Sequence, residues 1–126
     1  MRDVLFIDDD PGISAALSTR LRAHGYSVRV ASDGLQGLDE ARRVVPDVVV
    51  LDIRMPGIDG LEVCRRLRAD SATRSVPVLF LSAEARDDIR EAADAAGGSH
   101  YLGKPFDAKE VVAVIKHLID HAECTH

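Results

Sequence analysis

The stretch VLFIDDDPG near the N-terminus puts Asp8, Asp9 and Asp10 directly after four apolar residues. Carboxylates held a few ångströms apart do not all stay ionised cheaply, and a hard divalent cation such as Mg²⁺ relieves that repulsion. A fourth acid, Asp52, follows an apolar run in VVVLDIRMPG, a hydroxyl, Ser82, follows one in LFLSAE, and an amine, Lys104, follows one in YLGKPF. Brought together, these groups suit one chemistry. A carboxylate nucleophile accepts a phosphoryl group, and a cation, an ammonium and a hydroxyl donor neutralise the phosphoryl oxygens. Each residue alone has a plainer reading as a turn former, a helix cap or a surface lysine. Asp10, directly before Pro11, is read as such a cap. What favours the chemical reading for the others is that each follows an apolar run.

Those runs are the elements that must position the site. Val4 to Ile7, Val48 to Leu51 and Val78 to Leu81 are continuous, as expected of strands covered on both faces. Tyr26 to Val30 alternates and His100 to Leu102 is short, so both are expected at sheet edges. Between them lie helical spacings. Ile13, Leu17 and Leu21 repeat every four residues, with Pro11 in the first turn and Gly25 as the stop. Leu35, Leu38 and Ala41-Arg42 outline a second helix, closed by Val45-Pro46, and Leu61, Cys64 and Leu67 a third. Ile89, Ala92, Ala93 and Ala96 share a fourth face before Gly97-Gly98, and Val111, Val114, Ile115 and Leu118 a fifth, with Asp107 as its N-cap. Five strand-helix alternations predict a parallel sheet with helices on both faces. Ligands of such sheets bind beyond the carboxyl ends of the strands, where the strand order reverses. With strands in the order 2-1-3-4-5, Asp8, Asp9, Asp52, Ser82 and Lys104 fall along one edge.

Composition sets outer bounds. The 126 residues amount to one domain, and 46% apolar residues are enough for a real core. A net charge of -5 argues against binding to a nucleic-acid backbone and is compatible with a cation at an acidic site. Two cysteines, Cys64 and Cys124, imply no disulfide framework and a reducing compartment. No apolar run is long enough to span a bilayer. The expectation is a soluble, cytoplasmic domain over residues 1–122, with a frayed end at 123–126.

From DVLFIDDDP through LDIRMPGIDG and LFLSAEA to YLGKPF, the sequence resembles the receiver domains of two-component response regulators, the superfamily of the chemotaxis regulators. The resemblance implies a flavodoxin-like, doubly wound (βα)5 fold. It implies Asp52 as phosphoacceptor, Asp9 as direct Mg²⁺ ligand, Asp8 as a ligand through water and Arg54 as a ligand through its backbone carbonyl, with Mn²⁺ as a substitute ion. It also implies Ser82 as switch hydroxyl, Tyr101 as switch aromatic, Lys104 as the family's lysine and a cis Lys104-Pro105 peptide. The implied donor is a sensor histidine kinase or histidine phosphotransfer protein. The implied output is a domain or protein on the face made by helix four, strand five and helix five. On this reading the chain is a signalling switch rather than an enzyme, although it promotes its own phosphorylation and dephosphorylation. It touches neither nucleic acid nor membrane, and a homodimer is left open.

Three features are less generic. Arg54 and Glu84 lie two residues after Asp52 and Ser82, and an ion pair between them would slow loss of the phosphoryl group. Before the fifth-strand aromatic the sequence reads Gly98-Ser99-His100-Tyr101, without the paired acids frequent in winged-helix regulators of the family, and Val112 and Ile119 widen the last helix's apolar face. His117, His121 and Cys124 share a helical face with zinc-ligand types, but histidines near a helix C-terminus also complement its dipole, and that reading is preferred. Two alternatives stand beside the switch. One is a Mg²⁺-dependent aspartate-nucleophile phosphatase of the haloacid dehalogenase type, which would place its nucleophile at Asp8 and usually adds a cap domain. The other is a pseudo-receiver acting without phosphorylation.

Overall fold

The computed structural model describes residues 2–83, 86–103 and 106–124, with side chains as far as residue 121. Five strands alternate with five helices: β1 (Asp3–Ile7), α1 (Pro11–Ala23), β2 (Ser27–Ala31), α2 (Gly34–Arg43), β3 (Val48–Asp52), α3 (Gly60–Ala69), β4 (Val78–Ser82), α4 (Asp87–Ala95), β5 (His100–Gly103) and α5 (Ala108–Cys124). The strands form one parallel sheet in the order β2-β1-β3-β4-β5. The predicted order and the two predicted edge strands are both borne out. The central strands β3 and β4 are buried at every position, as their unbroken apolar runs require.

The pleat splits the core into two layers. Leu5, Ile7, Val49, Leu51, Val78 and Phe80 face α2, α3 and α4. Val4, Phe6, Val48, Val50, Leu79 and Leu81 face α1 and α5. Each such side chain taken fully from water contributes about 1.5–3 kcal/mol. The cysteine of α3, Cys64, is wholly buried, and that burial pushes its thiol pKa up.

Helix starts follow a common device. Asp10, Asp33 and Asp59 each accept a hydrogen bond from an amide of the first turn of α1, α2 and α3. Asp107 does the same for α5 through the Lys109 amide, at 2.9 Å. The caps expected at Asp10 and Asp107 are therefore present. Helix α4 differs: its N-cap is Arg86, it has no side-chain cap hydrogen bond, and its one buried residue is Ala93.

The α2 face differs from its predicted pattern. Leu38 and Ala41 are buried, but Leu35 is 58% exposed and lines an open hollow with Pro56 and Ile58. Gly34 and Gly37 occupy the inner face instead. A Cβ at Gly37 would strike the Ile7 side chain, and one at Gly34 the side chains of Ile58 and Val63. The helix seats itself by close backbone approach, and that rotates Leu35 outward. The stop predicted for α1 is as expected: Gly25 takes φ of 90°, and its N–H donates to Arg22 O at 3.0 Å.

Candidate functional site

The acid run is folded by its own backbone. The Asp8 N–H extends the β1–β2 ladder by donating to Ala31 O at 3.1 Å. The Asp10 N–H turns back to donate to Asp8 Oδ1 at 2.9 Å, while Asp10 Oδ1 accepts from the Gly12 amide at 2.9 Å. The three adjacent acids thus part company. Asp8 is buried beneath the sheet edge, Asp10 is committed to the helix, and Asp9 is left exposed at the mouth.

Asp52 and Ser82 are the final residues of β3 and β4 rather than the residues after them. The pairing of Asp52 with Leu81 and of Ser82 with Gly103 carries the ladder one position further than the apolar runs indicate. Asp52 is 7% exposed and Ser82 is fully buried. The loop after β3 curls over the acid: the Arg54 N–H donates to Asp52 Oδ1 at 3.3 Å, and the Arg54 side chain is exposed. The Gly60 N–H donates to Ile53 O at 2.9 Å, and a Cβ on Gly60 would collide with the Asp52 carbonyl. Gly60 was not among the sequence candidates. Its only signal is a glycine at the first helical position, where it removes the side chain that would push α3 off the Asp52 backbone.

One carboxylate oxygen from each of Asp8, Asp9 and Asp52 lies within 4.8 Å of the others. Metal–oxygen distances of about 2.0–2.1 Å put opposite ligands of an octahedral Mg²⁺ roughly 4 Å apart, so this spread needs only small side-chain adjustment. All three donors are hard oxygens. The residues present fit a hard divalent cation.

Tyr101 on β5 pairs in register with Phe80 and packs at the rim of the α2/α3/α4 layer. The Arg90 guanidinium carbon lies 5.4 Å from its ring centroid, a cation–π contact from α4 that spacing alone could not disclose. His117 and His121 are exposed on α5 with stacked rings. Lys104 with Pro105, Glu84 and the Cys124 side chain lie outside the described residues. No helix among the described residues is long and apolar enough to cross a membrane.

The response regulator receiver domain profile matches residues 4–116. RpaA of Synechocystis sp., a DNA-binding dual master transcriptional regulator, is 40% identical over 119 residues, 94% of this chain and 49% of the relative. The chain spans about half the length of the curated relatives it matches. The crystal structure of the chemotaxis protein CheY4 of Vibrio cholerae superposes with a TM-score of 0.89 at 30% identity, covering 94% of this chain and 98% of that one. The receiver domain of the sensor histidine kinase PA1611 of Pseudomonas aeruginosa PAO1 holds a magnesium ion in its active site cleft. It superposes with a TM-score of 0.87 at 33% identity, again covering 94% and 98%. With the profile spanning Asp8, Asp9 and Asp52 and all five strands but for Asp3, the chain belongs to the response regulator receiver domains of two-component systems.

Proposed function

We propose that Asp52 is the phosphoacceptor of this receiver, taking its phosphoryl group from a phosphohistidine of a sensor histidine kinase or histidine phosphotransfer protein. The observation that carries the reading is the convergence of Asp8, Asp9 and Asp52 at the carboxyl ends of neighbouring strands. An Asp52 carboxylate oxygen attacks phosphorus, the P–N bond breaks, and the departing imidazole keeps the electron pair and takes a proton. Mg²⁺ (or Mn²⁺), held by Asp9, Asp52, the Arg54 carbonyl and, through water, Asp8, supplies neutralising charge for the phosphoryl oxygens when bound. The Lys104 ammonium contacts one phosphoryl oxygen and the Ser82 hydroxyl donates to another. An ion pair between Arg54 and Glu84 across the mouth would limit the approach of water.

The same reading extends to the output. As Ser82 moves to the phosphoryl group, Tyr101 turns inward and the face of α4, β5 and α5 repacks. Support comes from α4, which lacks a side-chain cap and buries only Ala93, so that less holds it than holds its neighbours. Residues 1–122 serve as the receiver unit of a cytoplasmic regulator, and a domain or separate protein reads the altered face.

Incubation with acetyl phosphate and Mg²⁺, followed by peptide mass spectrometry, tests the assignment. A phosphoryl adduct on Asp52 that is lost in Asp52→Asn supports it. An adduct on Asp8 instead points to the aspartate-nucleophile phosphatase. An unmodified chain, with acetyl phosphate and with a phosphorylated histidine phosphotransfer protein, points to the pseudo-receiver.

A further inference from the structure

Asp87, Glu91 and Asp94 recur at i, i+4 and i+7 on α4, on the side opposite Ile89, Ala93 and Ala96, which pack toward the core. All three acids are exposed, and among the described residues none of them forms an ion pair. The arginines of this segment are engaged elsewhere: Arg86 pairs with Asp88, and Arg90 lies over the Tyr101 ring. Like charges at i and i+4 destabilise a helix, and an acid in the last turn opposes its dipole. Unlike the other four helices, α4 has no basic residue in its last turn, where Asp94 stands.

A complementary surface lies on the other face of the sheet. An open groove of about 260 Å³ between α1 and α5 is lined by Arg20, His24, Lys109 and Lys116 together with Val112 and Ala113. Arg20, Lys109 and Lys116 are exposed, and none of them pairs with a carboxylate among the described residues. Of the acids on and just before α5, Asp107 caps the helix, Asp120 lines the adjoining hollow and Glu110 lines neither. The groove therefore concentrates positive charge in a chain whose net charge is -5.

We propose that the acidic stripe of α4 on one copy of this chain docks in the basic α1/α5 groove of a second copy. Three carboxylates at helical spacing meet three cations around a groove between two helices, which is a helix-in-groove arrangement. Opposite potentials on the two surfaces favour this encounter and fix its orientation. Helix α4 packs on the layer of α2 and α3, whereas the groove belongs to the layer of α1 and α5, so the two surfaces lie on opposite sides of the sheet. One chain therefore does not satisfy its own stripe, and the contact runs head to tail rather than about a two-fold axis. Exposed ion pairs are individually weak and screened by salt, so the association builds with concentration and falls with ionic strength. Docking covers α4, so a partner that reads α4 competes with it.

Sedimentation equilibrium of the full chain in about 20 mM NaCl, up to roughly 1 mM protein, tests the contact. The average mass is expected to rise with concentration, and the dissociation constant to weaken at least about tenfold in about 300 mM NaCl. Two double variants, Lys109→Gln with Lys116→Gln and Glu91→Gln with Asp94→Gln, are each expected to stay monomeric alone. Mixed in equal amounts they are expected to associate and to stop at a pair, because only one stripe and one groove remain intact. A parent that stays monomeric, a double variant that self-associates as the parent does, a mixture that stays monomeric, or an association indifferent to salt overturns the proposal.

Discussion

Gly60 lies so close to Asp52 that a single added methyl group would overlap the Asp52 carbonyl. The obstacle is backbone, which does not move aside as the end of a side chain does. Gly60→Ala gains helix propensity of at most about 1 kcal/mol. Overpacking of this kind costs typically about 1–3 kcal/mol, so the clash wins. We expect Gly60→Ala to lower stability in urea unfolding and to slow modification of Asp52 by acetyl phosphate. A variant as stable and as reactive as the parent would show that α3 and the β3 end are not rigidly apposed.

The adjacent acids separate by experiment. Asp10 accepts from two amides of α1, so Asp10→Ala should cost about 0.5–2 kcal/mol of stability and leave Mg²⁺ affinity intact. Asp10→Asn keeps a good cap and should change neither. Asp9→Asn should do the reverse of Asp10→Ala, weakening Mg²⁺ binding while raising metal-free stability, because one of three crowded negative charges is gone. For the parent, Mg²⁺ at a hundred times its Kd should add about 2.7 kcal/mol of apparent stability. Thermal melts with and without Mg²⁺ read all of these, and equal Mg²⁺ responses in the two Asn variants would refute the division.

A cap can be given to α4. Arg86 occupies its N-cap without a side-chain cap hydrogen bond and pairs with Asp88 at 3.5 Å, both side chains well exposed. Arg86→Ser supplies an acceptor for first-turn amides, worth about 1 kcal/mol, and gives up an exposed pair worth at most that. Hydrogen exchange at residues 88–90 should slow. Faster or unchanged exchange would mean that the cap does not limit this helix.

Acid should weaken one clamp in a definite direction. The hydrogen bond from Arg43 holds the Glu40 carboxyl below its ordinary value of 4.5, with Arg29 adding to it and burial opposing. A depressed folded value stabilises the fold above about pH 4.5 and loses that contribution as the pH falls through the folded value. The stability difference between the parent and Glu40→Gln should therefore be fully present at neutral pH and shrink as the pH falls below the ordinary value of 4.5. Urea unfolding across that range measures it, and a difference constant with pH would contradict the pairing.

The central strands were legible because their Val/Leu/Ile/Phe runs are uninterrupted, the two edge strands because one run alternates and the other is short, and the strand order because the motifs resemble those of the receiver fold. The caps at Asp10 and Asp107 were legible because an acid before Pro or before a helical spacing has one common role. Leu35 was misplaced because periodicity counts large apolar residues and is blind to a face made of Gly34 and Gly37. Asp52 and Ser82 were put just beyond their strands because hydropathy ends before hydrogen bonding does. Gly60 behind Asp52 and Arg90 over Tyr101 are contacts between elements, and no local pattern encodes them.

Arg29 stands in the middle of the edge strand β2 with its guanidinium turned inward to Asp3 and Glu40, and it also donates to Val44 O at 2.6 Å. That arrangement bears on how the protein behaves in a crowd. No strand pairs with the outer margin of β2, where the Arg22 side chain donates to Val28 O, and Val30 is 45% exposed, a combination that invites another chain to zip on. A neighbouring strand that shifted or flattened β2 would pull the guanidinium from its carboxylates and leave charge stranded. The clamp that ties β2 to β1 and α2 therefore doubles as a guard against intermolecular β-pairing.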